Sequence, residues 1–489
     1  VVSGRISANG GLTRGQVHNS AGSGGGIYIV CRTIHGTNGS VTADAGLPRI
    51  VYNYNGGGAG GGRIAVHYDP DAQRALSVPA LWFSVAPSAS APASLPDCIG
   101  EIGTLYFPDL SLLSPSRVFA GQWIVPGLTN LSVSELTVSN AWVRFPAAGL
   151  ALTVTNALTV VGTNARLCRL EITNAAVSVS CGQLQLDGAA LQLGYKLFRH
   201  LGYTSSTYNL TTSGPALTCA GDLTLTNGAA FNVSAGLTCS GAEAGYGAEI
   251  SIGGDILVAT NCWISPMAHS TNGAAVLFSA RNLALQPGGG INADAGGYAG
   301  GIRTNSSPPF GPGVGVAYAG SGHGGLGAVG LNPTYPGTPG PSYGDSNAPV
   351  EPGSGGRAGA GSGNFYEDGA FGGGSVQIRA SGTVSVGGTI SAGALKPGPS
   401  GTPGASGGAV YIACRTFIGE ALGVVQALGG PGCYPGATQS SGGGGGGGRI
   451  ALWRVNDLSD GGFTLSVEGG VGAGATGDSG TVVQGWLPA

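Results

Sequence analysis

Residues Ser23–Thr33 read SGGGIYIVCRT, and residues Ser406–Thr416 read SGGAVYIACRT. Each phrase leads to a second shared one: NGGGAGGGRIAVHY over Asn55–Tyr68 and SGGGGGGGRIALWR over Ser441–Arg454. Runs such as IYIVC and RIAVH cluster or alternate apolar residues over a few positions between glycines, which is the signature of a β-strand. A phrase repeated together with its follower is one supersecondary unit used twice, and such units bury their apolar faces by stacking on neighbours. The match extends outward. Ile6-Ser7-Ala8 aligns with Ile390-Ser391-Ala392, and Gly103-Thr104 aligns with Gly480-Thr481. The offset drifts by only a few residues, as variable turns produce. The duplicated modules are therefore expected at 1–107 and 385–489.

Between them the texture changes. Over 108–286, short strands recur with Asn or Gly turns: VSNAWVRF (Val138–Phe145), VTNALTV (Val154–Val160), ITNAAVSV (Ile172–Val179) and LTNGAAFNV (Leu225–Val233). Asn and Gly accept the left-handed backbone angles that tight turns need. The recurrence suits one turn of a parallel β-helix; the alternative is an antiparallel β-sandwich. No stretch keeps a 3.6-residue apolar period with caps, so almost no helix is expected. Residues 287–384 form a glycine- and proline-rich excursion with return strands. Their composition is that of a flexible linker. The interspersed Tyr318, Tyr335, Tyr343, Phe365 and Tyr366 instead predict an ordered loop anchored on a sheet face. The expected fold is all-β: a right-handed parallel β-helix, or β-solenoid, with long glycine-rich loop excursions.

Glycine supplies 97 of 489 residues and charged residues only 9%, against roughly 25% charged in an average domain. With 42% hydrophobic residues, the chain does not have a disordered composition. Glycine does not recur at every third position, which excludes collagen. Net charge is −3, the cations are scattered, and Lys196 and Lys396 are the only lysines; nucleic acid is an unsuitable partner. No run of 18 apolar residues occurs, so no membrane insertion is expected. A start at Val1 with neither Met nor signal peptide predicts a processed product or part of a longer polypeptide.

Nine cysteines show no CxxC and no zinc-like spacing, and their apolar surroundings predict small buried hydrophobes. The LTC triplets ending at Cys219 and Cys239, followed by Cys262, suggest one column of stacked thiols, since adjacent strands lie about 4.8 Å apart. The glycine runs Gly56–Gly62 and Gly442–Gly448 lack the Gly-Lys-Ser/Thr ending of a phosphate loop. They are expected to be structural turns, with close backbone packing as a further use of glycine. Asp44 and Asp294, in TADAG and NADAG, are expected to bond turns. Glu367-Asp368 is an isolated acidic doublet, the six histidines are dispersed, and no GxSxG elbow occurs. The matched pairs Arg32/Arg415 and Arg63/Arg449 predict recurring salt bridges or turn caps. Sequons at Asn38, Asn130, Asn209, Asn232 and Asn305 are treated as chance matches. No catalytic residue, metal ligand or cofactor is predicted, and an enzyme is not expected.

The order of phrases, SGG with Y-I-x-C-R-T, then a VTADAG or VVQALGG turn, then GGGxGGGRIA, resembles large glycine-rich β-helical secreted or cell-surface proteins of environmental bacteria. YGDSNAPVEPGSGG (Tyr343–Gly356), followed by GGSVQI and GTISAGA, is similar to the same family. The resemblance implies fold and an extracellular or cell-surface location, and carries over no catalytic residue.

The favoured expectation is an extracellular structural protein. Strand-like sequence at both ends, without a polar cap, predicts head-to-tail stacking of copies into a filament or surface fibre. Val1, Val2, Ile6, Val482, Val483 and Trp486 are the expected assembly interface. The alternative is a cell-surface adhesin whose exposed aromatics at 310–370 bind surface glycans. A polysaccharide-cleaving β-helix enzyme is a third reading and would need a carboxylate cluster.

Overall fold

The structure, a computed structural model, describes residues 1–12, 21–47, 57–88, 99–114, 118–194, 213–238, 245–302, 307–331, 337–359, 368–394, 402–432, 441–472 and 475–488. The chain is nearly all β, 41% strand and 1% helix, and its sheets are large and parallel. It divides into two compact units, Val1–Asn174 with Asp187–Gln192, and Ala175–Leu186 with Leu193–Ala489.

In unit 1 each strand pairs in parallel with a strand further along the chain. Gly26–Val30 pairs with Arg63–His67, which pairs with Thr104–Tyr106, then Gly121–Ile124, Trp142–Phe145 and Arg169–Ile172. A second series runs Arg5–Ser7, Ser40–Thr42, Trp82–Ser84. In-register parallel pairing stacks like positions: Ile27 on Ile64 on Leu105, for example. The inward residues make a dry aromatic core. Phe83, Phe107, Phe119, Trp123 and Phe145 are all buried, with ring centroids 5.0–6.3 Å apart, a favourable aromatic spacing. The one described helix, Pro70–Arg74, starts where Asp69 accepts from Asp71 N–H and Ala72 N–H, with Pro in the first turn.

Unit 2 continues the same grammar. Ser375–Val386 pairs with Ala409–Gly419, then Arg449–Asp457, then Thr481–Trp486. Gly290–Asn292, Thr389–Ser391, Val424–Gln426 and Thr464–Ser466 form another parallel series. Asn140 and Asn227 adopt positive φ, 47° and 55°, as the Asn-turn phrases predict. Asn156 does not. VTNALTV lies within the continuous strand Ala151–Val161, where Thr155 and Asn156 are both exposed and the inward phase shifts between two partner strands.

The twin phrases build the same hydrogen bonds in their respective units. Gly25 N–H donates to the Ala8 carbonyl, as Gly408 N–H does to Ala392. Gly24 donates to Gly60, as Gly407 does to Gly446. Gly61 donates to Glu101, as Gly447 does to Asp478. Arg63 donates to Gly25, and Thr104 to Gly62; Arg449 and Thr481 repeat this on Gly408 and Gly448.

The run Gly442–Gly448 is not a turn, contrary to expectation. Its N–H groups point three ways in strict rotation. Gly443 and Gly446 donate to Tyr318 and Ser321, Gly444 and Gly447 to Ala475 and Asp478, and Gly445 and Gly448 to Gly430 and Ala427. A three-residue period is that of polyproline-II backbone, which makes no internal hydrogen bonds and must find partners outside itself. The carbonyls are taken as well: Gly443 and Gly446 accept from Gly404 and Gly407, and Gly444 and Gly447 from Ala328 and Gly324. A Cβ on any residue from Gly443 to Gly448 would fall well under 3.0 Å from a neighbouring carbonyl oxygen. Glycine is therefore required here by close approach of backbones, and the excursion at 318–328 is packed rather than free.

Candidate interaction surfaces

Among the sheet edges, two strands of the twin phrases have a partner on one side only. Gly26–Val30 pairs with Arg63–His67, and Thr481–Trp486 with Arg449–Asp457; among the described residues no strand occupies the other edge of either. The expected interface residues lie at such exposed places. Val1 (94%), Trp486 (64%), Val482 (41%) and Ile6 (39%) are exposed, while Val2 and Val483 are half-buried. Val482 and Gln484 pair with Ile450 and Leu452, both buried, so they cover the core column from the outside and are themselves left open. The Trp486 ring lies 4.7 Å from the Arg454 guanidinium, a cation–π distance.

In unit 2 the outward face of the long strands is covered by segment 343–350, which bends at Gly344 (φ 77°) and again over 346–348. Three side chains of the sheet donate to its carbonyls. Arg449 Nε reaches Tyr343 O at 2.8 Å, Trp453 Nε1 reaches Asn347 O at 2.7 Å, and Gln377 Nε2 reaches Pro349 O at 2.7 Å. Val350 packs on Tyr246, Ala275 and Leu277. Beneath the segment, His323 is fully buried with Nδ1 2.8 Å from Gly407 O and its ring 4.6 Å from Tyr343. Its Nε2 has no hydrogen-bond partner, and burial pushes the imidazole down to about 4. Tyr343 donates to Pro352 O at 2.6 Å and accepts from Ser354 Oγ at 3.0 Å; burial pushes its phenol up. Tyr343 thus anchors the excursion as an inward residue, and Tyr318 is half-buried. Tyr335, Phe365 and Tyr366 lie outside the described residues.

Among the described residues the matched arginines form no salt bridge. Arg449 binds Tyr343 O, His323 O and Thr481 Oγ1, with no carboxylate. Arg32, Arg63 and Arg415 are exposed. The substantial ion pairing lies elsewhere in unit 1. Glu171 is fully buried and takes Arg144 Nε at 2.5 Å and Arg169 Nη1 at 3.5 Å. Arg169 also lies 4.4 Å from the Trp142 ring.

Asp44 and Asp294 bond across strands, not only within turns. Asp44 accepts from Ser84 Oγ at 2.5 Å and Ala86 N–H at 2.8 Å. Asp294 accepts from Ser391 Oγ and from Gly393 N–H at 2.6 Å. Both follow one pattern: a carboxylate just past one strand ties a serine hydroxyl of the next and the amide two residues beyond it.

Cys219 stands in register with Cys181 on one side and Ile252 on the other. Cys262 is buried at the start of Trp263–Met267, in a different series, and Cys239 lies outside the described residues. The thiol stack is therefore Cys181 on Cys219. Their shared hydrogen bond, then burial, pushes the Cys181 thiol up. Burial pushes Cys414 to about 12. All described cysteines are free.

Among the described residues no group of three or more His, Cys, Asp or Glu could hold a metal ion, and no helix is long and apolar enough to cross a membrane. Compared with known protein families, curated proteins and solved structures, the chain has no match.

Proposed function

We propose that the chain is a right-handed parallel β-helix with a structural role, assembling head-to-tail into an extracellular filament or surface fibre. The observation that supports it is the pair of one-sided edges, which carry compatible columns. Setting Thr481–Trp486 of one copy in parallel beside Gly26–Val30 of the next would continue three of them: Thr481 on Gly26, Val482 on Ile27, Gln484 on Ile29. The ladders Ala409–Arg449–Thr481 and Gly26–Arg63–Thr104 already run in this register. The union would satisfy two open backbone edges and cover Val482 and Trp486, with Val1, Val2, Ile6 and Val483 flanking it. Such a contact is heterologous, and repetition extends it without closure unless a rotation happens to close a ring.

Electron microscopy and light scattering at high protein concentration test the reading. Filaments that disappear in Val482→Lys are expected. Monodisperse monomers at every concentration refute it.

A further inference from the structure

The twin phrases place matched donors on the outward faces of the two units, but among the described residues only one face is covered. Arg449 and Trp453 hold segment 343–350 in unit 2. The phrase RIAVH puts Arg63 at the position of Arg449 and His67 at that of Trp453 in unit 1. Tyr28 matches Tyr411, and Thr104, the register partner of Arg63, matches Thr481, the register partner of Arg449. On the unit 1 face Tyr28 is 71% and Val30 68% exposed. Arg63 is exposed, and its guanidinium makes no hydrogen bond or ion pair to a described residue. His67 lies between Tyr28 and Tyr106, with ring centroids at 5.1 and 4.8 Å.

We propose that this face, built from Gly26–Val30, Arg63–His67 and Thr104–Tyr106, is a docking site for a glycine- and proline-punctuated peptide of another polypeptide. The peptide would follow the path that 343–350 takes in unit 2. Its backbone carbonyls accept from the Arg63 guanidinium and the His67 ring N–H, and its apolar residues lie on Tyr28 and Val30. A proline- and glycine-punctuated chain suits the role because proline removes a backbone donor and glycine accepts the positive φ that Gly344 adopts on this path. The third donor of unit 2, Gln377, sits on the strand Ser375–Val386. Gly26–Val30 has no such neighbour among the described residues, so the unit 1 site offers two anchors and a flatter floor. The occupant is a separate segment, since this chain's own 343–350 is held in place by three hydrogen bonds and the Val350 contact. The site is the outward face, not the strand edge, and stands whether or not copies stack.

The test uses the full chain and a labelled peptide of sequence YGDSNAPVEPG, that of Tyr343–Gly353, followed by fluorescence anisotropy. Saturable binding is expected. Arg63→Ala should weaken it about tenfold, the loss of one charge-assisted hydrogen bond, and Tyr28→Ser should weaken it further. Arg415→Ala, an exposed arginine of unit 2, should leave it unchanged. Because Arg63 is exposed and unpaired, its replacement leaves folding intact, which a circular dichroism melt checks. No saturable binding, or binding indifferent to Arg63→Ala, overturns the proposal. So does a neutral oligosaccharide such as cellohexaose that outcompetes the peptide, or self-association of the chain abolished by Arg63→Ala.

Discussion

Replacing Gly445 by alanine should damage the protein far more than any solvent-facing glycine change. A Cβ at 445 would fall well under 3.0 Å from the Ala405 carbonyl oxygen, where ordinary contact begins at 3.4 Å. The two backbones would have to separate by about an ångström, since a packed interior yields little. That carbonyl already accepts from Gly430 N–H at 2.9 Å; Gly445 N–H donates to Gly430 O at 2.9 Å, and Gly445 O accepts from Gly470 N–H at 2.7 Å. Stretching two or three of these buried bonds past useful length costs about 1–3 kcal/mol each, so about 3–6 kcal/mol is expected in total. Gly461 is the control: it is exposed, and nothing lies within 4 Å of an added Cβ, so Gly461→Ala should change stability by less than about 0.5 kcal/mol. Urea titration followed by tryptophan fluorescence and by amide exchange of the 318–328 segment reads both. If Gly445→Ala and Gly461→Ala shift the midpoint alike, the close-packed glycine array is not what holds this region.

Acid should loosen unit 2 through His323. Its pKa falls from 6.5 when unfolded to about 4 when folded, so the unfolded chain takes the proton first. Stability is full above pH 6.5 and is lost as pH falls towards 4, by about 3 kcal/mol; His323→Gln should flatten the pH dependence of the urea midpoint across that window. In unit 1, Glu171→Ala strands the Arg169 cation, while Arg144 keeps Glu101 at 3.0 Å, and should destabilise by about 3 kcal/mol, whereas replacing the whole cluster by apolar residues should cost far less; a double-mutant series in thermal unfolding decides. Cys181 and Cys219 are almost fully buried and should react with a thiol reagent only after denaturant is added, as peptide mapping of the modified sites would record.

Much of this organisation was legible. Five-residue apolar alternation bounded by glycine located Gly26–Val30, Arg63–His67 and the start of Arg449–Asp457. The aligned phrases have matching hydrogen bonds in the structure, such as Gly25 to Ala8 and Gly408 to Ala392. The cysteine column was misread for a physical reason. Cys219 and Cys239 are separated by a span that looks like one repeat, yet register follows inward apolar columns, not residue counts. The strand after Ala216–Cys219 in its series is Tyr246–Ile252. The partner that does stack, Cys181, was visible in VSVSCGQLQL as an inward position of an alternating strand. The three-way pairing of Gly442–Gly448 had no signal in a run of identical residues, because which backbones approach it depends on segments far away in the chain. The missing salt bridges had a similar origin: the partners of Arg449 are carbonyls of the excursion.

The divergent fates of Arg63 and Arg449 show what the glycine excess accomplishes. Local sequence makes the two strands nearly interchangeable, and both make the same ladder bonds. What separates them is the excursion that reaches the outward face in unit 2, and that excursion can lie there only because its own backbone and that of Gly442–Gly448 meet without side chains between them. Gly320 and Gly324 face the carbonyls of Gly444 and Gly448 with no room for a Cβ, and Ser321 in the same stretch both donates to Gly404 and accepts from Gly446. Extended chains hydrogen-bonded in several directions thereby add covering backbone where an ordinary protein would need a packed layer of side chains. In unit 1 the corresponding face keeps its donors and aromatic rings without that cover. A surface built on the same plan, with Arg63 and His67 in place of Arg449 and Trp453 and Tyr28 turned to solvent, has the chemistry to accept backbone carbonyls from elsewhere, which is why the peptide test is directed at this face.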